Sequence, residues 1–94
     1  MGNSMNGIRK FPYQQIDVNE KRLISQIGDN IYYFRKKKKM SVRMLALTAG
    51  VEERYLYRIE NGEHCASIAT IYRIAKALEM DINDLIGEIG NEEI

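Results

Sequence analysis

An all-α fold is what this sequence predicts, and three observations carry that prediction. Apolar residues recur at steps of three and four along successive stretches, the spacing that gathers them on one face of a helix. Asp17 or Asn19, Ser41, Ser67 and Asp81 stand just before four of those stretches, where a short polar side chain caps free backbone N–H groups. Gly50 and the pair Asn61-Gly62 interrupt the pattern where a helix has to stop. Together these signals divide the chain into five helices around one core.

The first helix is expected from Asp17 or Asn19 to about Lys38, with Leu23, Ile24, Ile27, Ile31 and Phe34 as its buried stripe. Gly28 costs about 1 kcal/mol inside a helix, so a shorter helix starting nearer Ser25 stays open. The helix ends in five consecutive cations, Arg35 to Lys39, which the helix dipole favours at a C-terminus. Helix 2 is expected from about Val42 to Ala49 with Ser41 as its cap, and helix 3 from Glu52 or Glu53 to about Asn61. Two short helices joined at a glycine make a helix-turn-helix layout, and Ala46 is small enough for them to cross closely. Ser67 caps a fourth helix with Ile68, Ile71, Ile74, Ala75 and Leu78 on one face. Asp81 caps a fifth that carries Ile82, Leu85, Ile86 and Ile89.

Ninety-four residues suit one domain with a small core. The domain is expected over 17–89, with 1–16 as a flexible extension and 90–94 as an acidic tail. Pro12 argues for extended chain around Phe11 and Tyr13, which can pack on the domain or on a dimer mate. Arg9-Lys10 resembles the basic arms that some DNA-binding domains lay along a groove, although plain tail is the favoured reading. No apolar run approaches the ~20 residues that span a bilayer, and no signal-peptide core is present. A single cysteine excludes an internal disulfide, and with one histidine it cannot build a Cys/His zinc site. The expectation is a cytoplasmic protein with no membrane association, no metal and no cofactor.

The net charge of +1 conceals a strong asymmetry. Residues 1–43 hold ten Lys or Arg and three acids, whereas 44–94 hold four and ten. A basic end and an acidic end follow if the fold keeps them apart, and the basic end suits phosphate.

The stretch Ser41 to Gly62, SVRMLALTAGVEERYLYRIENG, resembles the phage Cro/repressor-type (lambda-repressor-like, XRE-type) helix-turn-helix family. The places that carry the likeness hold Arg35, Ser41, Leu45-Ala46, Gly50-Val51 and Ile59-Glu60-Asn61-Gly62, and the similarity runs from about Ile27 to Ile86. The resemblance implies a five-helix lambda-repressor-like DNA-binding domain in which helix 3 enters the major groove. It further implies that Arg35 pairs with Glu60 and ties helix 1 to helix 3. Three positions depart from the family pattern. Lys39 stands where glycine is common, at a cost of ~1–2 kcal/mol if it is left-handed. Val42 replaces a glutamine, and Ala66 replaces a nearby proline.

With Val51, Leu56 and Ile59 facing the core, helix 3 turns Glu53, Arg54, Tyr57 and Arg58 outward. By position the resemblance makes Glu53, Arg54 and Arg58 base-reading residues, with Tyr57 beside them. Arginine suits the O6 and N7 acceptors of guanine, and glutamate suits the N4 donor of cytosine. Candidate phosphate contacts are Arg35, Lys36, Lys37, Lys38, Ser41, the backbone N–H of Val42, Arg43 and Asn61. Glu52 and Glu53 suit a helix N-terminus but repel phosphate. His64-Cys65 suggests no catalytic centre, because adjacent side chains diverge and no third group is evident.

These readings predict a sequence-specific DNA-binding transcriptional regulator, a repressor that binds an operator as a homodimer on double-stranded DNA. Ile82, Ile86, Ile89 or the Phe11-Tyr13 segment would supply the dimer surface. Two alternatives stay open, both with a protein partner: an antitoxin that also caps a toxin, and an interaction module that has lost DNA binding. An enzyme is the least favoured class.

Overall fold

The computed structural model describes residues 17–87. Expectations placed on 1–16, on Ile89 and on 90–94 lie outside them. Five helices follow in order: α1 Val18–Lys37, α2 Val42–Ala49, α3 Glu53–Glu60, α4 Ile68–Ala77 and α5 Ile82–Ile86, with no strand among the described residues.

α1 begins with a reciprocal capping box. Asp17 accepts from the Glu20 backbone N–H at 2.9 Å, and the Glu20 carboxylate accepts from that of Asp17 at 3.1 Å. The helix then passes without a break through Gly28, so the shorter helix starting near Ser25 is not adopted. The reason lies in α3. A Cβ at Gly28 would collide with the Ile59 carbonyl oxygen and lie 2.8 Å from that of Glu60. Gly28 therefore lets α3 rest directly on the backbone of α1, and the propensity cost is offset by that packing.

Ile31, Leu45, Leu56, Ile59, Ile74, Leu78 and Leu85 are fully buried and form a core shared by all five helices. Two expected core positions are not there. Leu23 is 46% exposed and Ile68 66%. Among the described residues, the carbonyls at the end of α5 and of Gly87 accept from Gln26 and Asn30, both beyond Leu23 along α1. Ile68 opens α4 and lies off the face shared by Ile71, Ile74, Ala75 and Leu78. Tyr32, Tyr33, Tyr57 and Tyr72 are exposed, and Tyr55 packs on the core.

Four successive helices end in the same way. A left-handed residue follows each, and the next residue donates back five positions: Met40 to Arg35, Val51 to Ala46, Glu63 to Arg58 and Met80 to Ala75. These are Schellman closures. Gly50 and Gly62 take the left-handed position at φ 73° and 75°. Lys39 and Glu79 take it at φ 60°, where a side chain is strained. Three of the four closing residues, Met40, Val51 and Met80, turn an apolar side chain back onto the core.

Asn30 is a buried polar residue that the apolar pattern hides. Its side-chain amide donates to the Leu85 and Gly87 carbonyls at 2.7 and 2.6 Å, satisfying the end of α5.

Candidate nucleic-acid interface

The exposed face of α3 follows from what the core takes. Leu56 and Ile59 are buried, Tyr55 and Val51 are half-buried, and Glu53, Arg54, Tyr57 and Arg58 are left in solvent. The turn into α3 is tight because Gly50 is left-handed and Ala46 and Ala49 are buried against the neighbouring helices.

α3 is held at its far end by charge. Arg35 Nε donates to Glu60 Oε2 at 2.7 Å and Nη2 to Oε1 at 2.9 Å, a bidentate pair across the α1–α3 junction. Nη1 donates to the Met40 carbonyl at 2.8 Å, so the same guanidinium also fixes the loop into α2. Arg35 is only 7% exposed and Glu60 8%. The hydrogen bonding to the Glu60 carboxylate holds the guanidinium above its ordinary pKa; burial opposes this, and the charge of Glu60 adds to it. This geometry removes Arg35 from the phosphate-facing residues, because all three nitrogens are engaged inside the protein.

The rest of the cationic run is dispersed around the helix end. Lys36 Nζ lies 5.9 Å from the centre of the Tyr32 ring, which also carries the Arg35 guanidinium at 5.3 Å. Lys36 and Lys37 line one shallow groove on α1 with Tyr32 and Tyr33. Lys37 lies over Tyr33 at 5.7 Å. Lys38 pairs with Glu79, just past the end of α4, at 3.1 Å. Position along the sequence could not separate these destinations, because successive residues leave a helix about 100° apart.

The start of α2 lies beside α3. Ser41 Oγ accepts from the Met44 backbone N–H at 3.0 Å, and its own hydroxyl hydrogen is left to donate outward. The N–H groups of Val42 and Arg43, in the first turn, have no acceptor within the helix. Arg43 and Asn61 are exposed. Val42, Glu52, Glu53, Arg54 and Tyr57 line one open groove between the two helices. Glu52 caps α3 through its backbone alone, leaving its carboxylate at the groove rim.

His64 and Cys65 form no reactive pair. The His64 ring meets Tyr55 edge-on at 4.9 Å, and the Cys65 thiol is exposed. Among the described residues no group of three or more His, Cys, Asp or Glu is placed to hold a metal ion. No described helix is long and apolar enough to cross a membrane.

An exposed, polar third helix clamped behind a glycine turn defines a helix-turn-helix domain. Residues 31–85 match the family model HTH_3, helix-turn-helix, over more than half of the chain, and the chain belongs to this XRE-type family. It is 35% identical over 60 residues to the HTH-type transcriptional regulator SlrR of Bacillus subtilis (strain 168). That stretch is 63% of this chain and 40% of the regulator, so the chain spans well under half of its relative. Among solved structures it is similar to the master regulator for biofilm formation SinR in complex with DNA. Identity there is 32% and the TM-score 0.63, covering 65% of this chain and 98% of that one. It is also similar to the restriction-modification controller protein C.AhdI from Aeromonas hydrophila, at 26% identity and TM-score 0.65. That match covers 66% of this chain and 94% of that one.

Proposed function

We propose that this chain binds double-stranded DNA sequence-specifically and regulates transcription as a repressor, as a dimer on an operator. The observation that carries the reading is the placement of Glu53, Arg54, Tyr57 and Arg58 in solvent on a helix anchored by the Arg35–Glu60 pair. Base edges are read by side chains that project from such a helix, and the clamp behind it sets their angle of approach. Arg54 and Arg58, four residues apart, share one face and suit guanines, while Glu53 accepts from cytosine. Lys36, Lys37, Arg43, Ser41, Asn61 and the free N–H groups of Val42 and Arg43 supply phosphate contacts. SinR, solved in complex with DNA, and the regulator SlrR support the reading.

A domain of this size buries too little surface for high specificity alone, so a dimer spans two half-sites roughly 34–36 Å apart, or a multiple of that. The test is selection from a randomised duplex pool, followed by titration of the winner across salt. The expected result is an inverted repeat, with log K falling by about 0.9 per unit log salt for each phosphate neutralised. Absence of any enriched sequence and of salt dependence would sink the proposal, and the exposed face of α3 would then be a protein-binding surface.

A further inference from the structure

We propose that Val42 and Tyr57 form a notch that takes the C5-methyl group of a thymine in the major groove. The inference rests on the DNA-binding reading above and adds the chemical identity of a base it selects. The groove between α2 and α3 is lined by Val42, Glu52, Glu53, Arg54 and Tyr57. Its uncharged members are Val42 and Tyr57. Val42 packs against the core from the first turn of α2, so its position is fixed. Tyr57 is 57% exposed and stands on the outward face of α3, leaving its ring free to close on a ligand.

Charge narrows what can enter. The carboxylates of Glu52 and Glu53 at the rim repel phosphate oxygens, while the Arg54 guanidinium in the same groove draws purine N7 and O6 to itself and away from the uncharged wall. The groups that the major groove presents without an acceptor lone pair are the thymine methyl and the amino groups of cytosine and adenine. The methyl is the apolar one of these groups and gains from the wall of Val42 and Tyr57, whereas amino groups find their acceptors in the carboxylates of Glu52 and Glu53. The amino group of a neighbouring cytosine suits Glu53 at the rim instead. A glutamine at position 42 would offer polar atoms; valine offers only surface for burial.

The experiment replaces each thymine of the selected duplex by deoxyuridine, one position at a time, and measures affinity for the full chain. Uracil keeps every hydrogen-bonding group and loses only the methyl. One position per half-site is expected to bind about fourfold more weakly, the worth of one buried methyl group. In Tyr57→Ser, whose side chain lies outside the core, thymine and uracil at that position are expected to bind alike. Val42→Ala, checked for folding by circular dichroism, is expected to behave in the same way. Uracil equal to thymine at every position would overturn the notch while leaving DNA binding intact. So would a thymine preference that survives in both variants. A pool that yields no selected duplex would overturn the notch together with the reading beneath it.

Discussion

Arg35 and Lys38 stand three residues apart at the end of α1, and each forms an ion pair with a distant glutamate. The Arg35–Glu60 side chains are 9% and 4% exposed, and two parallel hydrogen bonds join them. The Lys38–Glu79 side chains are 41% and 80% exposed and share one contact. The same type of charge therefore does different work. The buried pair has given up its water and is committed to one geometry, so it sets the angle between α1 and α3. The exposed pair competes with solvent and salt, and it only steadies two helix ends.

The contrast is broken most severely by removing one buried partner. Glu60→Ala strands the Arg35 guanidinium, and thermal or urea unfolding is expected to show a loss of ~3–5 kcal/mol. An Asn30→Ala variant leaves the Leu85 and Gly87 carbonyls without their donor. It is expected to lose ~1–3 kcal/mol in the same measurement, with amide exchange accelerating first in α5. Lys39→Gly works in the other direction. It relieves a left-handed lysine and is expected to raise stability by ~1 kcal/mol while removing one positive charge. Lys38→Met is the smallest change, within ~1 kcal/mol and shrinking further as salt is added. Equal losses for Glu60→Ala and Lys38→Met would contradict the account of burial given above.

Much of the fold is legible in the sequence because its signals are local. Ser41, Ser67, Asp17 and Asp81 announce helix starts within three residues of the N–H groups they cap. Gly50 and Gly62 announce the stops by the backbone angles they permit. What escapes are features whose partners lie far along the chain. Asn30 reads as a polar interruption of an apolar stripe until Leu85 arrives 55 residues later. Gly28 reads as a defect until the carbonyls of α3 lie on it. Glu79 carries no glycine-like signal, yet it closes α4 as Lys39 closes α1.

The candidate interface divides along the same line. Which side chains α3 turns outward follows from helical periodicity alone. How the cations of α1 divide among Tyr32, Tyr33, Glu60 and Glu79 depends on tertiary neighbours.

On the function proposed above, α3, clamped by Arg35 and Glu60, reads bases while the basic residues beside it hold phosphate. The most direct test repeats the duplex selection with Arg54→Ala and, separately, Lys36→Ala. The account predicts that Arg54→Ala relaxes preference at one base position, worth ~1–3 kcal/mol, and leaves the salt slope nearly unchanged. It predicts that Lys36→Ala keeps the preferred sequence and lowers the slope by about one. A uniform loss across all sequences for Arg54→Ala, with no position relaxed, would contradict it.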